Sequence, residues 1–156
     1  MHKRVPIKRI LIAIDFSDAS REAFYAGISL AATLNAETWV LHASEPIRAF
    51  DFAKKRYVET AETIERVEEG VHRRLDELYA EGGLEAVDRR KVHLVVRGAT
   101  RAAQEILDTA KAKDVDLIVM GSSQDGGFDS PMGSTAERVA RRAHCSVFCV
   151  RARATA

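Results

Sequence analysis

The chain has 156 residues, of which 46% are hydrophobic and 30% charged, the length and composition of one compact domain with enough apolar side chains for a core. Its 24 Lys and Arg almost cancel its 23 Asp and Glu, so no overall field draws it to nucleic acid or to an anionic membrane, and a charged partner must be read locally. No apolar run approaches the length that crosses a bilayer, and Ile10 to Ile14 is too short for the core of a signal peptide. The expectation is a single domain over residues 1–156, in the cytoplasm, with no nucleic-acid or membrane partner.

The first element is Arg9-Ile10-Leu11-Ile12-Ala13-Ile14, a continuous apolar run with the mark of a strand covered on both faces. Ser17 is placed to cap a helix whose stripe runs Ala23, Gly27, Leu30, Ala31 and Leu34. Thr38 to Ala43 is a second strand. From Ser44 to Arg56 the chain is irregular, and its Lys54-Lys55-Arg56 run reads as the solvated start of the next helix. That helix carries Tyr57, Ala61, Ile64, Val67, Val71, Leu75 and Leu78 on one stripe and ends at Gly82-Gly83. Val92 to Val96 is a third strand, followed by a helix with Ala102, Ala103, Ile106, Leu107 and Ala110 inward. Leu117 to Met120 is a fourth strand, and a glycine-hydroxyl loop from Gly121 to Thr135 leads to the last helix, with Ala136, Val139, Ala140 and Ala143 inward. Ser134 and Glu137 have the spacing of a capping box, and Ser130-Pro131 has that of an N-cap with proline at the first helical position, an earlier start for the same helix. Ser146 to Val150 closes the series.

Strict alternation of five strands with four helices implies an α/β fold, an open parallel sheet with right-handed crossovers and helices on both faces. The two cysteines, Cys145 and Cys149, fall in one short run. Along a strand they would stand roughly 13 Å apart, beyond a disulfide, so they read as reduced and buried.

In such a sheet, ligands bind beyond the carboxyl ends of the strands where the winding reverses, which sets the end of the first strand beside that of the fourth. Asp15-Phe16-Ser17 and Gly121-Ser122-Ser123 therefore share a crevice. Glycine lets backbone approach a ligand, and the free N–H groups of a helix start face negative charge, so the loop suggests an anion site. Several chemistries lack their parts. Asp15 to Ser20 has no glycine for a dinucleotide turn, Met132-Gly133-Ser134 lacks the lysine of a P-loop, and Arg97-Gly98 stands where a receiver domain carries an aspartate. No spacing of His or Cys gathers a metal site. Ser17, Ser122 and Ser134 have only His42 near them as a base, so no catalytic residue is assigned.

The motifs Ile10-Leu11-Ile12-Ala13-Ile14-Asp15-Phe16-Ser17, Val40-Leu41-His42-Ala43, Val96-Arg97-Gly98, Asp116 to Ser123 and Gly133-Ser134-Thr135-Ala136-Glu137-Arg138-Val139 together resemble the universal stress protein family over nearly the whole chain. The resemblance implies a Rossmann-like fold of the adenine nucleotide alpha hydrolase kind, strand order 3-2-1-4-5, and homodimers formed through the last strand, here Val147 to Val150. It implies a small stress-response protein whose ligand is ATP, with Mg, or another adenine nucleotide, and for which hydrolysis is at most slow and incidental. Carried over residue by residue, the nucleotide site comprises Ala13, Ile14, Asp15, Ala43, Met120, Gly121, Ser122, Gly126, Gly133, Ser134 and Thr135. The binding pattern of the family is Gly, two residues, Gly, nine residues, then Gly with Ser or Thr. Gly121 and Gly133-Ser134 match it. Gln124 replaces the middle glycine, only eight residues part it from Gly133, and Asp125 adds a negative charge. The alternatives are a nucleotide-free dimeric module that binds an unidentified protein, or an enzyme acting on a nucleotide with His42 or Asp15 as base.

Overall fold

The computed structural model describes residues 6–45, 48–122 and 132–152. In chain order the elements are β1 (Arg9–Ala13), α1 (Asp18–Leu34), β2 (Glu37–Ser44), β3 (Ala49–Asp51), β4 (Arg56–Val58), α2 (Ala61–Glu81), β5 (Val92–Gly98), α3 (Ala102–Ala112), β6 (Leu117–Gly121), α4 (Ser134–Arg142) and β7 (Ser146–Val150), with a 3-10 turn at Arg89–Lys91 before β5. Five strands form one sheet of order β5-β2-β1-β6-β7, all pairs parallel. Counted without the small β3–β4 pair, this is the order 3-2-1-4-5.

β1 and β6 lie in the middle of the sheet and are the most apolar strands, because both of their faces are covered. Ile10, Ile12 and Ile14 point to one side, where Phe24, Ile28 and Ala31 of α1 and Val71, Leu75 and Leu78 of α2 meet them. Leu11 and Ala13 point to the other, with Leu41, Ile118 and Met120, under Ala103, Ile106 and Ala110 of α3 and Ala136 and Val139 of α4. Period 2 in the strands thus sorts one core into two layers. α1 sits very close to the sheet at Gly27, where a Cβ would lie 2.7 Å from Ile12 Cδ1.

The local stops agree with the chemistry in three places. The Ser17 hydroxyl caps α1 by accepting from Ser20 N, Thr60 and Thr63 cap α2 reciprocally, and Gly82 ends α2. Several expectations need correction. Lys54-Lys55-Arg56 does not start a helix. It belongs to the tight antiparallel β3–β4 hairpin, because Asp51 Oδ1 accepts from Ala53 N and Lys54 N at 2.9 Å each and turns the chain there. Tyr57 accordingly lies in β4 and is exposed, not on the α2 stripe. Ser134 and Glu137 form no capping box, since the N-cap of α4 is Gly133 and no side chain caps it. α4 runs from Ser134, after the non-helical Met132 and Gly133, and the Ser130-Pro131 cap lies outside the described residues. In α1 the inward stripe includes Phe24 and Ile28, both fully buried, while Leu34 is 41% exposed. The cysteines are free as expected, but half-buried rather than buried, because β7 is an edge strand; desolvation pushes both thiols up.

Candidate functional site

A crevice of about 440 Å³ opens at the carboxyl ends of β1, β2 and β6, on the side covered by α3 and α4. Its floor is Ala13, Leu41, Ala43 and Met120. Ala102 and Ile106 of α3 form one wall, Gly133 and the first turn of α4 (Ser134, Thr135, Ala136) form another, and Ile14, Asp15, Ser17, Ser20 and Gly121 complete the rim. The floor is small and apolar and the rim is polar, the usual division of labour in a small-molecule site.

Asp15 follows β1 directly. Its Oδ1 accepts from Ser17 Oγ at 2.6 Å and Ser17 N at 2.9 Å. The same Ser17 hydroxyl accepts from Ser20 N at 3.3 Å, and the Ser20 hydroxyl donates to Ser17 O and accepts from Asp15 N. Partial desolvation in the crevice pushes the Asp15 carboxyl up, but the hydrogen bonds from Ser17, with help from Ser20, outweigh it and leave the pKa below its ordinary value of 3.8. The group is a carboxylate at neutral pH. Its Oδ2 has no hydrogen bond among the described residues and remains free to accept one.

Opposite Asp15, α4 begins without a side-chain cap. Its first intrahelical bond is Glu137 N to Gly133 O at 2.9 Å, so the N–H groups of Ser134, Thr135 and Ala136 have no partner within the helix. With the positive end of the helix dipole they make an anion-seeking wall. The glycine at the end of β6 lets the two halves of the crevice approach. A Cβ on Gly121 would lie 2.6 Å from both the Ala19 carbonyl carbon and Ser20 N, atoms of backbone that cannot swing away.

Of the eleven residues expected at the site, nine line this one crevice: Ala13, Ile14, Asp15, Ala43, Met120, Gly121, Gly133, Ser134 and Thr135. Gly126 lies outside the described residues, as do Ser123, Gln124, Asp125, Ser130 and Pro131. Ser122 is placed otherwise. It is 3% exposed, its N–H is donated to Val150 O at 2.8 Å, and its Oγ is buried without a partner among the described residues. It helps to join β6 to β7 and does not line the crevice. His42 points to the α1–α2 side, with Nδ1 2.9 Å from Ile14 O and its ring against Phe16. It is a structural tie for β1 rather than a base at the crevice. Leu41, Ser20, Ala102, Ile106 and Ala136 line the site without having been singled out for it. The stripe Ala102-Ile106 reads as core in sequence, and Ala103, Ile106 and Ala110 are core, but Ala102 and Ile106 also line the crevice.

A profile of the universal stress protein family (Usp) matches residues 6–151. The chain is 31% identical over 155 residues to universal stress protein MJ0531 of Methanocaldococcus jannaschii, covering 92% of this chain and 82% of that one. Among solved structures, universal stress protein UspA from Lactobacillus plantarum superposes with a TM-score of 0.67 at 22% identity, covering 95% of this chain and 100% of that one. A universal stress protein solved in complex with cAMP gives 0.65 at 18% identity, over 96% and 100% of the two chains. One from Archaeoglobus fulgidus in complex with dAMP gives 0.57 at 22%, over 94% and 99%. With its sheet order, its two helical layers and the match along almost its entire length, the chain belongs to the universal stress protein family.

Proposed function

We propose that the crevice binds an adenine nucleotide, ATP with magnesium in the first instance, and that the protein is a small cytoplasmic stress-response protein rather than a catalyst. One observation carries this reading: Asp15, whose Oδ2 has no hydrogen bond among the described residues, and the start of α4, which has no side-chain cap, line one largely apolar slot of nucleotide size. The small floor at Ala13 and Ala43 leaves room for a flat base against apolar surface. Asp15 Oδ2 accepts from a ribose hydroxyl or an exocyclic amine. The N–H groups and hydroxyls of Ser134 and Thr135 hold the phosphates. The relatives solved with cAMP and dAMP support the choice of an adenine nucleotide. Magnesium would enter with the triphosphate, bound to its phosphate oxygens. Among the described residues that line the crevice, Asp15 is the one carboxylate or imidazole, and its lowered pKa makes it a poor proton acceptor. The test is to purify the protein without added nucleotide, release what it carries by heat, and titrate the emptied protein with ATP and magnesium in a calorimeter. Nucleotide in the supernatant or a saturable heat supports the reading, and the absence of both overturns it.

A second reading rests on β7. Among the described residues it pairs with β6 alone, so its other edge has no partner strand there, and Phe148 on it is 44% exposed. Unpaired edges invite pairing, and a second copy related by a two-fold axis would close this one. A homodimer through Val147 to Val150 fits nucleotide binding and also a nucleotide-free module that docks on another protein.

A further inference from the structure

The β3–β4 hairpin stands apart from the core. Residues 48–50 and 52–57 are all exposed, and neither strand contributes to the buried layers. Hairpins of this size do not persist in water through their strands alone. This one is held by three aromatic rings packed edge to face: Phe50 lies 5.1 Å from Phe52 and 5.2 Å from Tyr57, centroid to centroid. The resulting apolar knob faces solvent, with Phe50 42%, Tyr57 67% and Phe52 85% exposed. Between Arg48 and Val58 the chain carries four basic side chains, Arg48, Lys54, Lys55 and Arg56, against one carboxylate, Asp51, with the exposed Glu45 and Glu59 bordering the segment. Only Lys54 is paired, with Asp51 at 3.5 Å; Arg48, Lys55 and Arg56 make no ion pair among the described residues. The chain as a whole is nearly neutral, so this local excess of positive charge is set apart both by sign and by position.

We propose that the hairpin is a docking knob for an anionic lipid surface, with Phe52 and its neighbouring rings entering the interface and Lys55, Arg56 and Arg48 meeting the headgroups. Aromatic rings prefer the boundary between headgroups and acyl chains, and each nearby Lys or Arg adds attraction to an anionic leaflet. The size argues for this occupant. The three rings expose roughly 400 Å² of apolar surface, taking about 200 Å² for each ring in full and the exposures above, whereas a stable protein interface takes about 800 Å² from each side. A second copy or a folded partner would need surface that the hairpin lacks, but a shallow insertion does not. A single-stranded nucleic acid would need successive open ring faces along a basic channel, and here the rings pack edge to face on one another in a single cluster. The hairpin leaves the sheet after Ser44, at the end of β2 where Ala43 lines the crevice, so docking would turn that end of the sheet towards the membrane.

The experiment is co-sedimentation of the whole protein with vesicles of phosphatidylcholine alone and of phosphatidylcholine with about 30% phosphatidylserine, at about 0.05 M and about 0.5 M salt. The expected result is binding to the anionic vesicles only, weakened at high salt, and at least about tenfold weaker for Phe52→Ser and for the pair Lys55→Glu with Arg56→Glu. Both variants lie outside the core and keep the thermal midpoint, which is measured alongside. Arg141→Glu with Arg142→Glu, at the far end of α4, should bind as the parent does. No sedimentation with anionic vesicles overturns the proposal, as does binding that ignores the hairpin variants. It is overturned in favour of another partner if Phe52→Ser instead lowers the mass seen by light scattering, or abolishes binding of a labelled oligothymidylate that the parent prefers to vesicles.

Discussion

The Ser17 hydroxyl donates to Asp15 Oδ1 at 2.6 Å and accepts from Ser20 N at 3.3 Å, so one side chain both starts α1 and fixes the carboxylate at the mouth of the crevice. A helix cap and a ligand-facing acid are therefore coupled. Their energetics should move together on mutation.

Ser17→Ala removes both bonds. The lost cap costs about 1 kcal/mol of stability, and the Asp15 carboxyl, left with the desolvation that pushes it up, titrates at higher pH. In the parent the folded-state pKa lies below the ordinary 3.8, so the contribution of Asp15 to stability is present above that value and fades as pH falls through the lowered one. The gap in stability between parent and Ser17→Ala should thus be wider at pH 7 than at about pH 2. Urea unfolding at the two pH values, with carboxyl chemical shifts followed by NMR, checks this, and an Asp15 shift that stays put would refute the coupling.

Gly121→Ala tests whether the end of β6 needs glycine for space. The new methyl would lie 2.6 Å from the Ala19 carbonyl carbon and from Ser20 N, so either α1 or β6 must move. Overpacking of this kind costs about 1–3 kcal/mol. Because Ser20 belongs to the Asp15 network, the displacement should also weaken whatever the crevice binds. A variant with parental stability and parental affinity would show that the contact is relieved cheaply.

Gly133→Val examines the phosphate wall. Gly133 is the N-cap of α4, with φ −60 and ψ 154, a conformation open to valine, so the fold should survive. The branched side chain would stand beside the N–H groups of Ser134 and Thr135, on backbone that lines the crevice. ATP affinity is expected to fall at least about tenfold in calorimetry, with circular dichroism unchanged. Undiminished binding would place the phosphates elsewhere.

How far these features can be read from the chain differs element by element. β1 and β6 are legible to within one residue, because strands covered on both faces must be continuously apolar. The crevice is legible at Asp15 and Gly121, since the reversal of winding fixes which strand ends meet. The β3–β4 hairpin is not: its strands of three residues are too short for a period, and the charge run at its tip looks like any solvated helix start. The stripe of α1 drifts for a different reason. Gly27 sits so close to the sheet that a Cβ there would lie 2.7 Å from Ile12 Cδ1, and on the same helix Phe24 and Ile28 are fully buried while Leu34 is 41% exposed. That close approach is a tertiary contact absent from the local pattern. The start of α4 is legible to within one residue of the Ser134-Glu137 capping-box spacing, but the N-cap is Gly133, because Gly is also tolerated at that position and the chain path decides.

Phe148→Glu bears on assembly. Phe148 is 44% exposed on β7, whose outer edge has no partner strand among the described residues. If two copies pair there, a carboxylate from each would be brought close to its symmetry mate and to apolar surface, and both effects oppose association. The parent should run as a dimer in light scattering at micromolar concentration, and the variant as a monomer of 17.3 kDa. The substitution touches neither buried layer, so the thermal midpoint should shift only by what the dimer itself contributed, and this share should vanish on dilution because dimer stability depends on concentration. A parent that is already monomeric removes the dimer from the account, while leaving the nucleotide crevice between β1 and β6 untouched.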